Sequence, residues 1–300
     1  MKAQKLLSIA ELGGNYGSTE IQKFLAGHDF VAELEKWALE AASNGVQHTS
    51  NLEWNKKRLK RVFHPSGLSG ECDFKLWMDI HGAPYKAKHN ESLQGIFDTG
   101  TAVGAQMEYY ISTHAEENEY SFLSEVGFKP RYIEDSTGTR ADGEVEKWVH
   151  SDIADELQIA GHLDGLCIRT IRVGGRSIRI KMVYEFKTIS SGGFRKLTKP
   201  HDYYKKQVHA YMVCLDAPVT IIFYVNKDNS SKAAFPIIYS TEYWQPMGDR
   251  LRSIKKLHDK HKEPDKVVGP ACWQCGYLEE CDPRPPKRSP GYMVYGAPEI

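Results

Sequence analysis

The amino-acid sequence predicts an α/β fold with a helical N-terminal region, a central core of strands and helices, and a C-terminal cysteine-rich segment. Two β-rich runs flank the pair Gly174–Gly175, which is typical of a hairpin. A helix that begins at Pro200 is followed by two more β-rich runs. Apolar residues recur at helical spacing on both sides of this core, over residues 19–44, 93–117 and 241–262.

The length, charge and cysteine content bound the class of protein. The 300 residues suffice for one large domain or two small ones. The formal net charge is zero, so no overall positive field attracts nucleic acid, and such binding must depend on local patches. We expect no signal peptide and no membrane partner. We divide the chain into residues 1–92, 93–240, 241–282 and a flexible tail, 283–300.

The N-terminal region is expected to hold two helices. The first covers residues 19–44 and ends at Asn44–Gly45, and the second is capped by Ser69 and ends at Gly82. The basic run of residues 56–61 is either a solvated helix face or a phosphate-binding patch. Further along, the polar residues 134–155 indicate a mobile loop or a small insertion, and residues 190–193 a flexible turn.

The hairpin register brings two acidic residues together. If Gly174–Gly175 form the turn, Val173 pairs with Arg176, and the same register places Asp164 directly opposite Glu185. Two like charges in such a pair destabilise a hairpin. A divalent cation relieves the conflict, because Mg²⁺ is bound by one or two carboxylates. The alternatives are a surface hairpin with solvated charges, and a bulge that separates the two carboxylates.

The two faces of this hairpin differ in polarity. Lys187 shares a face with Glu185 and is expected opposite His162, where an ammonium can activate water or meet phosphate charge. The other face is apolar, with Arg169 as the exception. Its apolar members are Leu163, Cys167, Ile171, Ile178, Ile180, Met182, Tyr184 and Phe186.

Basic and aromatic residues alternate just after the hairpin. Cations interleaved with rings suit a single nucleic-acid strand, because phosphates meet the cations while bases stack on the rings. Ordinary solvated surface is the alternative. The candidate DNA-binding residues are Arg195, Lys196, Lys199, Tyr203, Tyr204, Lys205 and Lys206.

Six cysteines in a chain with no secretion signal favour metal ligands or buried thiols over disulfides. Cys272, Cys275 and Cys281 lie close together and suit a metal. Cys167 and Cys214 lie in apolar surroundings and are expected in the core. Cys72 then remains as a fourth ligand.

The residues Gly161-x-x-Asp164 and Glu185-x-Lys187 resemble the signature of the PD-(D/E)XK nuclease superfamily, and Gln207-x-x-x-Tyr211 is similar to a motif of its RecB-like branch. The resemblance implies a restriction-endonuclease-like core, αβββαβ, over about residues 93–239. It implies that Asp164, Glu185 and the Phe186 carbonyl bind Mg²⁺ or Mn²⁺. By the same resemblance Lys187 positions the attacking water, and Gln207 and Tyr211 orient the site or contact the strand.

The cysteine pattern resembles the iron–sulfur staple of CRISPR-associated RecB-like exonucleases and their phage homologues. It implies that Cys72, Cys272, Cys275 and Cys281 hold a 4Fe–4S cluster that ties the N-terminal helices to the C-terminus. The residues after Cys72 depart from the family's usual Pro-Arg. A zinc ion on four cysteines is the alternative.

A second departure lies in the first core helix. The branch usually carries a metal-binding His where this chain has Gly104. Glu108, one turn further on, could supply the missing ligand because residues i and i+4 share a helix face. A solvated helical glutamate is the alternative.

These features together predict a metal-dependent DNA exonuclease that acts on single-stranded ends in recombination, repair or replication. Its expected partners are DNA and proteins of those processes, in the cytoplasm of a bacterial or phage-infected cell. One alternative is a catalytically weak or inactive nucleic-acid-binding subunit that keeps the nuclease fold. The other is a structural subunit of a recombination complex.

Overall fold

A mixed β-sheet lies between two layers of helices in the computed structural model. The structure describes residues 6–9, 18–43, 59–68, 70–85, 91–115, 120–133, 147–173, 175–267, 272, 275–277 and 279–281. The strands are β1 (Leu6–Leu7), β2 (Tyr120–Phe128), β3 (Lys147–Val149), β4 (Gly161–Val173), β5 (Arg176–Ile189), β6 (Val219–Asn226) and β7 (Lys232–Ile238).

Eight α-helices accompany these strands in the described ranges. They are α1 (Ser18–Gly27), α2 (Phe30–Ser43), α3 (Asp73–His81), α4 (Glu91–Ala115), α5 (Asp152–Leu157), α6 (Ser191–Lys196), α7 (Asp202–Leu215) and α8 (Thr241–Asp259). The predicted α/β class is therefore confirmed. None of the described helices is long and apolar enough to cross a bilayer.

The strand order of the sheet is β3-β2-β4-β5-β6-β7, with β1 beside β5. The pairs β2–β4, β4–β5 and β6–β7 are antiparallel, whereas β2–β3, β1–β5 and β5–β6 are parallel. A parallel pair needs a crossover connection. The crossover from β5 to β6 contains α6 and α7, which places α7 over the sheet next to β5.

Two apolar clusters occupy the two faces of the sheet. One joins the sheet to α1, α2 and α4, and it contains Tyr184 and Phe186 of β5. The other joins it to α3, α5, α7 and α8, and it contains Val183. Since side chains alternate along a strand, Glu185 and Lys187 point to the second face, toward α7.

The hairpin has the predicted register over most of its length. Cα partners run from Val173–Arg176 at the turn to Gly165–Tyr184. Gly175 has a φ of +76°, a conformation that favours glycine. The predicted apolar face is confirmed except at Leu163, which belongs to the cluster on the α7 side.

The predicted first helix is broken in two. Asp29 interrupts it, because its carboxylate accepts hydrogen bonds from the backbone N–H groups of Val31 and Ala32 (3.1 and 2.9 Å) and so caps α2. The apolar spacing continues across this break, which is why spacing alone predicted one helix. The predicted cap at Asn44–Gly45 lies outside the described residues.

The second N-terminal helix begins later than predicted. Cys72 caps α3, and its sulfur accepts a hydrogen bond from the Lys75 N–H at 3.4 Å. The predicted end at Gly82 is confirmed, with a φ of +78°. Ser69 and residues 56–58 of the basic run lie outside the described residues, whereas Lys60 and Arg61 lie in a bend rather than on a helix.

Two predicted loops are partly ordered elements. Ser151 caps α5 and Ser190 caps α6, each through its side chain, so that the end of the 134–155 stretch and most of residues 190–193 are not irregular. Residues 134–146 and the tail from residue 282 lie outside the described ranges. The residues of β2 were not identified from the sequence, although its alternating apolar residues Phe122, Val126 and Phe128 are a strand pattern.

Candidate active site

Asp164 lies at the end of the paired part of the hairpin. Its Oδ2 accepts a hydrogen bond from the backbone N–H of Phe186 at 2.6 Å. The neighbouring residue must be small, because a Cβ on Gly165 would lie 2.3 Å from the ring of Phe122. The carboxylate thus lies against the backbone that joins Glu185 to Lys187.

Glu185 is buried at the centre of this region, with 2% of its surface exposed. Its Oε1 lies 2.5 Å from Lys187 Nζ and accepts a hydrogen bond of 3.0 Å from Gln207 Nε2. The first partner comes from the same strand and the second from α7, so both a local and a tertiary contact fix the carboxylate.

Lys187 carries its positive charge in this setting. Burial alone lowers the pKa of Lys187, but the carboxylates of Glu185 and Asp164 outweigh burial and hold the pKa well above its ordinary value. The ring of Tyr204 lies over the ammonium, with 4.6 Å between Nζ and the ring centroid. Lys187 is therefore a fixed, protonated donor.

Gln207 and Tyr211 lie one turn apart on α7, and Gln207 donates hydrogen bonds to both Glu185 and Tyr211. The second hydrogen of Gln207 Nε2 goes to the Tyr211 hydroxyl at 2.7 Å. Tyr211 is 3% exposed, and its ring meets Phe128 edge-on with 6.0 Å between centroids. These contacts fix the amide orientation of Gln207.

The donor set suits a hard divalent cation. Asp164 and Glu185 contribute four carboxylate oxygens from adjacent strands, and one oxygen of each makes the protein contact described above. Mg²⁺ and Mn²⁺ prefer such oxygen ligands. The group carries two negative charges against one positive charge, and this excess of negative charge favours a bound cation.

The structure places His162 in β4 and Glu108 in α4. His162 packs against Trp148 of β3, with 4.5 Å between ring centroids, and its Cα pairs with Gly127. Glu108 is buried, 6% exposed, in α4 on the sheet face opposite α7. A Cβ on Gly104, one turn before it, would meet no heavy atom within 4 Å.

The predicted DNA-binding cations fall into two groups. Arg195, Lys196 and Lys199 are exposed on and just after α6. Lys205 and Lys206 are half-buried on α7, with their Nζ atoms 3.7 and 3.8 Å from the carboxylate of Asp202. The first group is the better suited to meet phosphates, because the second already neutralises a carboxylate.

The predicted aromatic pair forms part of a larger stack. Tyr203 and Tyr204 have ring centroids 3.9 Å apart, and His201 stacks on Tyr203 at 5.9 Å. Tyr204 in turn lies over the ammonium of Lys187, so this group of rings extends to the contact between Lys187 and Glu185.

Three cysteines of the predicted staple, Cys72, Cys275 and Cys281, are partly buried against the apolar cluster that contains α3. The segment that contains Cys272, Cys275 and Cys281 packs near α3, where Tyr277 donates a hydrogen bond to Asp79 at 2.8 Å. Burial and the nearby thiols of Cys72 and Cys272 raise the pKa of Cys275. All six cysteines are free thiols, and no three described thiols lie within 4.8 Å of one another. Cys167 and Cys214 are buried in the core, as predicted.

One further group of possible ligands was not predicted. His150, Asp152 and Asp155 place a ligand atom each within 4.8 Å of one another at the start of α5. The i, i+3 spacing of the two aspartates on a helix is the sequence signal. Arg131 Nε binds Asp155 at 2.7 Å, so an internal cation already offsets part of this charge.

No protein-family model and no curated protein matches the chain. Among solved structures, SSO0001 is similar at 16% identity and a TM-score of 0.41, over 87% of this chain and 96% of that one. The alkaline exonuclease LHK-Exo from Laribacter hongkongensis, in complex with dAMP, is similar at 12% identity and a TM-score of 0.42, over 67% and 89%. Another structure of LHK-Exo gives 11% identity and a TM-score of 0.34 over the same shares. Scores this low assign neither fold nor function to this chain.

Proposed function

We propose that this protein is a metal-dependent DNA exonuclease of the PD-(D/E)XK type. One observation carries the proposal: Asp164 accepts a hydrogen bond from the backbone N–H of Phe186, and Lys187 and Gln207 both bind Glu185, the residue before Phe186. Two carboxylates, an ammonium and an amide in this order along the chain match the residues that the resemblance assigns to phosphodiester hydrolysis.

Asp164 and Glu185, with the Phe186 carbonyl, would hold Mg²⁺ or Mn²⁺. Such an ion, when bound, supplies a Lewis acid and lowers the pKa of water. The protonated amine of Lys187 would orient the attacking water and stabilise the negative charge that develops on the phosphate. Gln207 keeps Glu185 in place, and Tyr211 keeps Gln207 in place.

A single strand with a free end is the substrate we propose. Arg195, Lys196 and Lys199 form the exposed basic patch nearest in sequence to the site, and Tyr203 offers a ring for stacking. The chain has no net charge with which to wrap a duplex. We include the processes of recombination, repair or replication in the proposal.

We also propose that Cys72, Cys272, Cys275 and Cys281 hold a 4Fe–4S cluster. Support comes from Cys275, which lies near the thiols of Cys72 and Cys272, and a zinc ion on the same four cysteines is the alternative. A cluster would join residues 1–92 to the segment after α8 and so stabilise the fold. Anaerobically purified protein should then contain iron and acid-labile sulfide. Cys72→Ser should lose both, whereas Cys167→Ser should retain them, and stoichiometric zinc in their place would contradict the proposal.

A catalytically inactive nucleic-acid-binding protein is the second candidate. The observation that favours it is Gly104, which stands where the branch usually places a metal-binding His. This candidate predicts DNA binding that does not depend on Mg²⁺ or Mn²⁺.

The deciding experiment uses end-labelled linear single strands, blunt duplexes and circular single strands, with and without Mn²⁺. We expect metal-dependent release of nucleotides from linear single strands, and binding that weakens as salt rises. Arg195→Ala should weaken binding, with Lys260→Ala as the control at an exposed residue at the end of α8. Rapid cutting of circles would contradict exonuclease action, and binding without cleavage would support the second candidate.

A further inference from the structure

The ammonium of Lys187 is held from two sides. Glu185 Oε1 lies 2.5 Å from Nζ, and the centroid of the Tyr204 ring lies 4.6 Å from it. An ammonium over an aromatic face is attracted by the negative potential of the ring. We propose that Tyr204 is the positioning residue of Lys187, and that its ring holds the ammonium against Glu185. This inference rests on the proposed nuclease function.

The ring of Tyr204 is itself held in place by the sheet. Tyr224 is the Cα partner of Lys187 in the parallel β5–β6 pair, and its ring lies 6.0 Å from that of Tyr204. The Tyr224 hydroxyl accepts a hydrogen bond from the backbone N–H of His201 at 3.0 Å, just before α7 begins. Tyr204 is thus fixed between α7 and the strand next to Lys187.

Because of this position, we expect Tyr204 and Tyr203 to have different roles. The Tyr203 ring stacks on His201 and remains a candidate for base stacking. Tyr204 instead contacts the amine that the proposed mechanism uses. A strand-binding residue affects mainly substrate binding, whereas a residue that positions Lys187 affects the chemical step.

The kinetic test compares Tyr204→Leu with Tyr204→Phe on linear single-stranded DNA with Mn²⁺. The leucine removes the ring face, and we expect kcat to fall about tenfold with KM nearly unchanged. The conservative phenylalanine restores the ring, so kcat should recover most of the wild-type value. A rise in KM with kcat retained in Tyr204→Leu would show a strand-binding role and overturn the inference.

A second measurement needs no nuclease activity. In metal-free protein, the Lys187 ammonium should give its own signal in a lysine-selective ¹H–¹⁵N NMR spectrum, because Glu185 and the Tyr204 ring hold it and slow its exchange with water. Tyr204→Leu should lose or broaden this signal, while Tyr204→Phe should keep it. An unchanged sharp signal in Tyr204→Leu overturns the inference, whether or not DNA is cleaved. A lost signal without any cleavage supports the positioning role and contradicts the proposed function alone.

Discussion

Two clusters of largely buried charge lie on opposite faces of one hairpin, and they differ in their balance. On the α2 face, Arg169 of β4 binds both oxygens of Glu33, at 2.9 and 2.6 Å. One positive charge meets one negative charge. On the α7 face, Asp164 and Glu185 share one ammonium, that of Lys187, so two negative charges meet one positive charge.

The difference separates a structural pair from a candidate site. Burial alone raises the pKa of Glu33, but hydrogen bonds from His28 and Arg169 outweigh burial and lower it, so the pair is satisfied as it stands. Excess negative charge beside Glu185 is unfavourable until a cation binds. Functional sites are where such unfavourable arrangements are retained.

The largest effect is expected from removing one negative charge at the candidate site. Asp164→Asn keeps the acceptor for the Phe186 N–H but loses the charge, so cleavage should fall at least about a hundredfold. Stability without metal should not decrease, because a like-charge repulsion is gone. The measurements are single-strand cleavage rates and unfolding midpoints with and without Mn²⁺.

Metal linkage provides the control for that variant. A cation that binds only the folded state raises the unfolding midpoint of the wild type, and Asp164→Asn should show little of this rise. Glu185→Gln should behave similarly. Equal stabilisation of wild type and Asp164→Asn by Mn²⁺ would mean that the carboxylates do not bind the ion.

Replacing a carboxylate by an amide on the α2 face should lower stability and leave cleavage unchanged. Glu33→Gln leaves the largely buried Arg169 without its countercharge, which should cost about 3 kcal/mol of unfolding free energy. Cleavage by the folded variant should stay at the wild-type level at low temperature, because Glu33 lies across the sheet from Glu185. Denaturant unfolding and cleavage assays on matched samples separate the two effects.

Low pH should affect the stability of the wild type and of Glu33→Gln differently. The pKa of Glu33 is lowered from an ordinary 4.5, so its contribution to stability is present above pH 4.5 and is lost as pH falls through the folded-state pKa. Wild type should therefore lose stability over this range more steeply than Glu33→Gln. Parallel curves for the two proteins would show that the pair contributes nothing.

The hairpin and its polar face could be predicted because both depend on local rules. The Gly174–Gly175 pair predicts the register, and alternation along β5 places Glu185 and Lys187 on one face. The strand β2 shows that a short pattern is easily overlooked. Apolar residues alternate from Phe122 to Phe128, but this segment lies between a helix and a polar stretch.

The contacts that complete the site could not be predicted in the same way. Gln207 reaches Glu185 only because the crossover places α7 over β5. The separation of the two residues in sequence does not reveal how close their side chains lie. The Tyr204 contact with Lys187 has the same origin. Arg169 was recognised as an exception on an apolar face, but its partner Glu33 lies 136 residues away.

The smallest effect is expected in α4, which packs on the same face of the sheet as the Arg169–Glu33 ion pair. Gly104→Ala should stabilise the helix by about 0.5–1 kcal/mol, because a Cβ there meets no neighbour within 4 Å. Gly104→His adds a metal ligand if α4 reaches the site, and cleavage should then rise above that of Gly104→Ala. Glu108→Ala should weaken Mn²⁺ dependence if Glu108 serves as the ligand. If neither Gly104→His nor Glu108→Ala changes the metal titration, α4 belongs wholly to the structural face, and the ions are held by the hairpin alone.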